Sequence, residues 1–304
     1  MRIRRKKWAE EELKASPIYL DGTEKLSGKW KEKILKDSKV NNIDTDIENI
    51  EKQYVNLIIE IGMGKGKFIS NLAYNDLKKS KKEDTNITNI YIGIDMIEAM
   101  LGLAKREIEE VYLNITKEDR KILNDYFNRL NYYMKFKDDK EVLALKEELN
   151  NNLKLKDIYN KIMCENLKKE NFKNIYILNT DADKISEYFD ETDNISRIYL
   201  NFSNPWPKDK HNKRRLTYID KLEKYKEFLK KDGLILFKTD DLPFFNDSLE
   251  YFEKANLKVL AKTNDLDKED IYFNLLGEKN IETEHEKMFK EKGILINAVI
   301  LQKK

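Results

Sequence analysis

The sequence predicts an α/β protein with one mostly parallel, seven-stranded sheet that is flanked by helices and carries a helical insertion. Three observations support this fold. Short apolar runs of strand character alternate with stretches whose apolar residues follow helical spacing. The first apolar run leads into a glycine-rich turn. Polar residues follow directly after several later runs, at positions where open α/β sheets bind ligands.

Seven segments have the composition of buried strands, since each is short and dominated by apolar or aromatic residues. Helical spacing appears between them, for example at Leu222, Tyr225, Phe228 and Leu229. Strands that alternate with helices indicate a parallel sheet. The strands are predicted at residues 55–61, 89–95, 174–179, 197–202, 234–238, 257–261 and 294–301, and two of the helices at 68–79 and 216–231.

One interval is longer than a strand–helix–strand crossover requires. Asp181 lies 86 positions after Asp95, whereas about 30 residues suffice for a crossover. The excess lies at 108–172, where apolar residues follow helical spacing, so we predict a helical insertion packed on the domain. Its 13 basic and 13 acidic residues cancel, which argues against a main phosphate-binding surface. A role in nucleic-acid contact or dimerisation remains an alternative.

Residues 1–53 are predicted to form a basic N-terminal extension and linker, and residues 54–304 the main domain. Five of the first seven residues are basic, and the polar, Asn- and Asp-rich piece at 37–51 is typical of a linker. The first eight residues, MRIRRKKW, are a candidate for a mobile arm. Over the whole chain 58 basic residues nearly balance 56 acidic ones, so global charge says little about partners.

The composition excludes several kinds of site. A single cysteine, Cys164, rules out an internal disulfide or a cysteine zinc cage, and two histidines, His211 and His285, make a metal site improbable. The sequence has no apolar stretch long enough to span a bilayer and no signal-peptide core. We therefore expect a cytosolic protein without metal and without membrane association.

The glycine-rich turn is a candidate cofactor site. Glu60 lies next to the end of the first predicted strand, and Gly62 and Gly64 follow in a G-x-G-x-G pattern that allows a ligand to approach the backbone closely. A dinucleotide fingerprint would need glycine at Lys67, and a phosphate-binding Walker loop would need Ser or Thr at Phe68. A tight strand–helix turn without a ligand is the alternative.

Two aspartates lie at the ends of neighbouring predicted strands, since Asp95 ends the second strand and Asp181 follows the third. A carboxylate at Asp95 can accept two hydrogen bonds from a ribose diol, and Asp181 can accept one from an adenine amino group. Both residues are also suitable helix caps, which is the alternative for each. Because the carboxyl ends of parallel strands share one edge of a sheet, the pattern predicts a nucleoside cofactor there.

The stretch from Asn201 to Arg215, NFSNPWPKDKHNKRR, follows the fourth strand. Two prolines restrict its backbone, and Trp206 offers a flat face on which a base can stack. Five cations follow within eight residues, which predicts contact with nucleic-acid phosphates. A solvated basic face without a partner is the alternative. The cations are Lys208, Lys210, Lys213, Arg214 and Arg215.

The block NFSNPWPKDKHNKRRLTY, with EIGMGKGKFI before it and FKTDD after it, resembles the bacterial tRNA (guanine-N7)-methyltransferases. The segments MRIRRKKWAEEEL and ETEHEKMF are also similar to that family. The resemblance covers most of the chain outside 108–172 and 37–51. It implies a Rossmann-like class I methyltransferase fold in a methyltransferase domain at 54–304. S-adenosylmethionine would be the cofactor and tRNA the partner, with a monomer or homodimer open.

The resemblance also implies roles for individual residues. Cofactor binding would involve Glu60, Gly62, Gly64, Asp95, Asp181 and Asn204. Catalysis would involve Asn204 and Asp240. The target guanine would be held by Lys208, Asp240, Thr283, Glu284, His285 and Glu286. The RNA would meet Lys210, His211, Asn212, Lys213, Arg214 and Arg215. The product would be N7-methylguanosine in the tRNA variable loop.

Asn204 departs from the family pattern, which has Asp at this position. Guanine N7 carries no proton that a base would have to remove, and positioning alone lowers such a barrier substantially. We therefore expect an active enzyme in which Asn204 is a positioning acceptor and nearby carboxylates stabilise the cationic product. Asp240, Glu284 and Glu286 are candidates for that negative field.

Three other functions fit parts of the sequence. Asn204-Pro205-Trp206 has some likeness to the Asn-Pro-Pro-aromatic motif of exocyclic-amine methyltransferases. A catalytically weak or inactive tRNA-binding paralogue would also explain Asn204. A nicotinamide dehydrogenase is the remote option, because the glycine spacing does not match that class.

Overall fold

The computed structural model describes residues 6–40, 54–80 and 87–304. Its centre is a single sheet of eight strands in the order β1-β4-β3-β2-β5-β6-β8-β7. The strands are β1 (Tyr19–Leu20), β2 (Tyr54–Ile61), β3 (Ile87–Asp95), β4 (Ile175–Asn179), β5 (Ile195–Asn201), β6 (Leu229–Thr239), β7 (Leu257–Thr263) and β8 (Asn297–Lys303).

The predicted α/β sheet is confirmed. Strands β1 to β6 pair in parallel, and β8 runs antiparallel to both β6 and β7. All seven predicted strands are present, with boundaries shifted by up to three residues, except that β6 begins five residues before the predicted start at residue 234. The eighth, β1, has two residues and was not predicted, because a strand this short shows no periodicity.

The helices cover both faces of the sheet, because strand side chains alternate between faces. One face packs against α2, α8 and α9, and the other against α1, α3, α4 and α10. The helices are α1 (Lys7–Lys14), α2 (Trp30–Val40), α3 (Lys67–Ser80), α4 (Glu98–Leu113), α5 (Lys117–Lys135), α6 (Asp139–Asn151), α7 (Leu153–Met163), α8 (Ile219–Phe228), α9 (Leu242–Lys254), α10 (Ile271–Leu276) and α11 (Glu284–Glu291).

The N-terminal part differs from the predicted extension. Trp30 is 1% exposed, stacks on Phe189 at 5.5 Å and donates a hydrogen bond from its indole nitrogen to the Tyr188 carbonyl at 2.7 Å. Residues 6–40 therefore belong to the same core as the sheet, and the boundary at residue 53 does not isolate them. The apolar residues of α1 and α2 supply the physical reason, since they bury area against the sheet.

Residues 1–5 of the predicted mobile arm and residues 41–53, which include most of the linker predicted at 37–51, lie outside the described residues. Residues 37–40 of that predicted linker are the end of α2. Trp8 lies in α1, where the Arg106 guanidinium of α4 is 3.5 Å from its ring centroid. This end of the predicted arm is thus docked on the domain through a cation–π contact.

The predicted insertion is helical. Helices α5, α6 and α7 enclose a small apolar cluster of their own, formed by Leu123, Tyr126, Leu145, Leu155 and Ile158. Polar contacts attach this unit to α4. The buried Glu109 carboxylate of α4 accepts hydrogen bonds from Arg120 of α5 at 2.6 Å and from Asn166, which follows α7, at 3.1 Å.

The helix predicted at 216–231 is too long at both ends. Helix α8 stops at Phe228, and β6 already begins at Leu229, which pairs with Ile195. The register between β5 and β6 shifts between Ile195 and Arg197, and Asp232 has a positive φ of 59°. Residues 230–233 therefore form an irregularity in a strand, and the helical spacing ended three residues earlier than predicted.

Candidate active site

The predicted ligand edge exists. Asp95 pairs with Asn179 at the ends of β3 and β4, and Asn201 pairs with Lys238 at the ends of β5 and β6. The parallel register therefore brings the polar residues of strands far apart in sequence to one edge of the sheet.

The glycine turn lies at the centre of this edge. Gly62, Gly64 and Gly66 all have positive φ, between 55° and 76°. A Cβ on Gly66 would come within 2.8 Å of the Ala104 Cβ, whereas a Cβ on Gly64 would meet nothing within 4 Å. Gly66 thus allows the turn to pack on α4, and Gly64 leaves the open side of the turn free for a ligand.

Asp95 connects the glycine turn to the start of α4. One carboxylate oxygen accepts a hydrogen bond from the Gly64 N–H at 3.0 Å, and the other accepts one from the Ile97 N–H at 2.9 Å. Burial raises the pKa of Asp95, and these backbone hydrogen bonds oppose that rise. Each oxygen keeps a second lone pair, so the predicted ribose contact and the observed capping role are compatible.

Glu60 is buried beneath the turn and is 2% exposed. Its Oε1 accepts a hydrogen bond from the Asn201 amide at 2.8 Å, while Oε2 has no partner within the described part of the chain. Burial raises the pKa of Glu60 to about 7, and the Asn201 hydrogen bond and the Lys238 charge reduce this effect. A buried oxygen without a partner is costly, so Glu60 is a candidate ligand-binding acceptor.

Asp181 follows β4 and is partly exposed. Its side chain accepts a hydrogen bond from the Asp183 N–H at 2.9 Å and so caps a short 3₁₀ helix, Ala182–Glu187. The capping alternative is therefore present in the structure, as a hydrogen bond to one of the two carboxylate oxygens.

The loop after β5 has an unusual backbone. Phe202 and Trp206 both have positive φ, 49° and 43°, although neither is glycine. Such conformations cost roughly 1–3 kcal/mol and concentrate at functional sites. Asn204 lies between them, and its side-chain oxygen accepts a hydrogen bond from the Trp206 N–H at 3.1 Å. Asn204 therefore shapes the loop as an acceptor, and it is exposed at the edge.

Trp206 has partners from the basic segment that follows it. The His211 ring lies 5.7 Å away, and the Arg214 guanidinium lies 5.1 Å from the indole centroid. A cation over an aromatic face is an attractive contact. The tryptophan predicted to stack on a base is thus also the support that orients Arg214.

The cations of the segment fall into two classes. Lys208, Lys210, Lys213 and Arg214 are exposed, and none of them forms an ion pair with residues 6–40, 54–80 or 87–304. We call these four residues the basic rim. Free cations grouped at a ligand edge form a surface suited to phosphate contact. His211 and Asn212 are partly buried between them.

Arg215 corrects the prediction of direct RNA contact. It is 4% exposed, and it donates to the Pro205 carbonyl at 2.7 Å, to Asp247 at 2.7 Å and to the Tyr251 hydroxyl at 3.2 Å. Because its Nε and Nη1 donate to groups inside the protein, Arg215 joins the Pro205 loop to α9. Sequence position alone did not reveal this, because the side-chain partners Asp247 and Tyr251 lie more than 30 residues further along the chain.

The first turn of α11 forms one wall of the edge. Glu284 pairs with Lys65 of the glycine turn at 2.7 Å. The His285 ring stacks on Phe202 at 6.2 Å and on Phe289 at 6.3 Å, with interplanar angles of 26°. Helix α11 is therefore attached both to the cofactor side and to the loop after β5.

Two members of this turn are not free to hold a base. Glu286 is fully buried and paired with Lys238 at 2.7 Å, and Thr283 is 8% exposed and caps α11 through the Glu286 N–H at 3.0 Å. The prediction that these two side chains contact the guanine is therefore revised, because both are buried and hydrogen-bonded to other protein groups. Glu284 and His285 remain exposed.

Asp240 lies at the end of β6 and is partly buried. Burial raises its pKa, and the neighbouring His285 opposes the rise. It forms no salt bridge with the part of the chain that is described. Asp240 is thus one of the carboxylates of this edge whose charge no salt bridge among the described residues neutralises.

Sequence reasoning missed Lys65, Lys238 and Asn280. The available signal was the lysine at the end of the apolar run Leu234–Lys238, because a cation in a central strand requires a buried partner. Its partner Glu286 is 48 residues away, so the pairing itself was not readable.

No helix of the described residues is both long and apolar enough for a membrane span. Within the same residues, no three His, Cys, Asp or Glu side chains group in a way that would hold a metal ion.

Comparison with known proteins identifies related methyltransferases. A family model described as "Putative methyltransferase" matches residues 154–297. A tRNA (guanine-N(7)-)-methyltransferase of Clostridium beijerinckii is 35% identical over 303 residues, covering 100% of this chain and 99% of the relative. A protein of the same name from Acetivibrio thermocellus is 31% identical, covering all of both chains.

Solved structures are more distant. The aminoglycoside resistance methyltransferase NpmB1 aligns with 93% of this chain and 97% of its own, at 12% identity and a TM-score of 0.42. The assignment depends instead on the full-length relatives. With identities above 30% over the whole of both chains, this chain belongs to the tRNA (guanine-N(7)-)-methyltransferase family.

Proposed function

We propose that the protein transfers a methyl group from S-adenosylmethionine to N7 of a guanine in the tRNA variable loop, giving N7-methylguanosine. One observation carries the proposal: a nucleoside-type edge adjoins a rim of unpaired cations. The edge contains Glu60, Gly64 and Asp95, and the rim contains Lys208 to Arg214. We expect the enzyme to act in the cytoplasm, where tRNA is present, as a monomer or homodimer.

The edge fits the proposed cofactor. Gly64 leaves open space beside the turn, Glu60 holds an unpartnered buried oxygen, and Asp95 keeps free lone pairs next to both. These are acceptor groups, as a ribose diol and an amino acid ammonium require. When bound, S-adenosylmethionine supplies an activated methyl group on a sulfonium. Asp181 would extend the site toward an adenine.

The residues of the edge can favour the reaction by position and charge. Guanine N7 is a lone-pair acceptor, so no residue has to remove a proton. The base becomes cationic as the bond forms, and a fixed negative charge stabilises that state. Asp240 suits this role, since no salt bridge in the described part of the chain neutralises it. Glu284 forms an ion pair with Lys65, and Glu286 forms one with Lys238. Their contribution to the negative field at the base is therefore smaller than the sequence predicted.

The basic rim supports RNA binding. Its four cations lie on the segment that begins where the Asn204 loop ends, and Trp206 orients one of them, Arg214. Each lysine or arginine that neutralises a phosphate releases counterions, so the affinity for tRNA should depend strongly on salt. A rim of this kind guides the tRNA so that one base reaches the cofactor edge.

Incubation of the native protein with labelled S-adenosylmethionine and bulk tRNA, followed by nucleoside analysis, tests the proposal. We expect label in N7-methylguanosine and in no other nucleoside. N6-methyladenosine would support the exocyclic-amine alternative instead. Absence of any labelled nucleoside, from protein that calorimetry shows to bind both ligands, would support a non-catalytic tRNA-binding function.

Asn204 allows a sharper test of the mechanism. Its oxygen already accepts the Trp206 N–H, which favours a role in positioning. We expect the native enzyme to be active and Asn204→Asp to be faster by about tenfold or less, because a carboxylate adds negative charge beside the cationic product. Single-turnover rates of the two proteins provide the measurement. Activity found only in Asn204→Asp would contradict the account of the native residue.

A further inference from the structure

The ion pair between Lys238 and Glu286 is the most deeply buried one described in the molecule. The two side chains are 1% and 0% exposed, and Nζ lies 2.7 Å from Oε2. Lys238 also donates to Asn280 Oδ1 at 2.9 Å and to the Ile281 carbonyl at 3.0 Å. Asn280 donates in turn to Glu286 at 2.5 Å. Every charge of this cluster is therefore matched.

Such a pair is not an efficient way to stabilise a fold. Removing both charges from water costs as much as their attraction returns, and apolar pairs of the same size are often equally stable or better. Burial lowers the pKa of Lys238 and the Glu286 charge opposes that change, which is the direction that desolvation of the ammonium predicts. The location of the pair suggests another role.

On one side the pair is built into the catalytic edge. Lys238 pairs with Asn201, whose amide holds Glu60, and it lies two residues before Asp240. The Lys238 carbonyl accepts the Phe202 N–H at 2.9 Å, and its ammonium lies 6.0 Å from the Phe202 ring. Lys238 therefore contacts the start of the Asn204 loop through both its backbone and its side chain.

On the other side the pair holds the first turn of α11. Glu284 and His285 precede Glu286 directly and face the edge, where they contact Lys65 and Phe202. These exposed contacts are individually weak. The buried anchor is what fixes the turn from which both side chains project.

We propose that Lys238 and Glu286 are a positioning pair, which holds the first turn of α11 against the strand ends so that Glu284, His285 and Asp240 face the reacting base. Neither residue contacts base or cofactor. The inference rests on the proposed function and replaces the predicted guanine contact of Glu286 with an indirect role.

The test compares Lys238→Met, Glu286→Gln and the double variant Lys238→Met/Glu286→Leu, with Lys254→Met at the exposed pair on α9 as control. We expect both single variants to lose stability, because each leaves a buried charge or its partner unmatched. The double variant should recover stability and bind S-adenosylmethionine within about twofold of the native protein. Its methyl transfer should remain slower by at least about tenfold, because displacement of a catalytic group of about 1 Å is enough for that loss.

A readout independent of activity separates this inference from the proposed function. The chain has two histidines, so the His285 imidazole resonance is readily assigned, and we expect the nearby Phe202 and Phe289 rings to shift it. We expect the double variant to lose that shift while His211 keeps its own. A double variant with native transfer rate, or with an unmoved His285 resonance, overturns the inference. An inactive native protein would instead count against the proposed function.

A milder variant covers the case in which the double variant does not fold. Asn280→Ser removes the bridge between the two charges but leaves the pair itself. We expect transfer to slow by about threefold, since the anchor loosens without breaking, with unchanged cofactor affinity. Native rate and a native His285 resonance in Asn280→Ser would also overturn the inference.

Discussion

Arg214 and Arg215 are neighbours in the sequence, yet they belong to opposite regions of the molecule. Arg214 is exposed on the basic rim and rests on Trp206. Arg215 is buried and binds Pro205, Asp247 and Tyr251. The difference shows that a run of cations does not have one function, because the direction of each side chain decides between solvent and interior.

The same contrast recurs across the site. The cations of the basic rim form no described ion pair and can bind a polyanion, whereas Lys238 and Glu286 form an ion pair with each other. We therefore expect substitutions in the rim to change binding, and substitutions beneath it to change stability or geometry.

Arg215→Ala is the largest expected effect on stability. Three hydrogen bonds from a charged donor are lost, so the free energy of unfolding should fall by about 2–4 kcal/mol. Arg214→Ala should change it by only about 0.5–1 kcal/mol, the value of a cation–π contact. Urea unfolding of the two variants measures both. Equal losses of unfolding free energy in the two variants would contradict the distinction between a buried Arg215 and an exposed Arg214.

Glu60→Gln tests the buried acidic part of the site. The pKa of Glu60 is about 7 in the fold against 4.5 as the ordinary value, so the folded state binds more protons between these pH values. The free energy of unfolding of the native protein should therefore fall, by on the order of 2–3 kcal/mol, as pH rises from 4.5 to 7.

In Glu60→Gln this slope should shrink, because the amide does not titrate. Urea unfolding at several pH values, without cofactor, provides the measurement. An unchanged slope would mean that Glu60 is ionised throughout and that another group causes the pH dependence.

Asp95→Ala separates cofactor from RNA. The variant loses the tether of the glycine turn as well as the proposed ribose contact, so affinity for S-adenosylmethionine should fall by about 10–100-fold. Affinity for tRNA should stay near the native value. Calorimetry for the cofactor and filter binding for tRNA check the two parts, and an equal loss of both would show that Asp95 supports the whole edge.

Much of this fold could be predicted from local sequence patterns. The strand runs and the glycine turn follow from residue type and spacing within short windows, and the structure confirms them. The helical insertion was equally visible, because α5, α6 and α7 have strong amphipathic patterns. The docking of Trp30 was not readable, since its partners Tyr188 and Phe189 are more than 150 residues away.

The candidate site could likewise be predicted from sequence only where local patterns determine it. Asp95 lies at the end of β3 and Asn204 lies in the loop after β5, and both positions follow from the strand pattern. The burial of Arg215 and of Glu286 depends on α9 and β6, which pack beside them only in three dimensions. Residue type and motif therefore located the edge, and long-range packing decided which of its charges stayed free.

The salt dependence of tRNA affinity tests the division of charge most directly. Binding constants would be measured from low to high salt for the native protein, Arg214→Ala, and Lys258→Ala as a control cation on the distant strand β7. We predict that Arg214→Ala lowers the slope of log affinity against log salt by about one unit, the value of one phosphate contact, and that Lys258→Ala leaves it unchanged. Equal slopes for all three proteins would contradict the assignment of the basic rim to RNA.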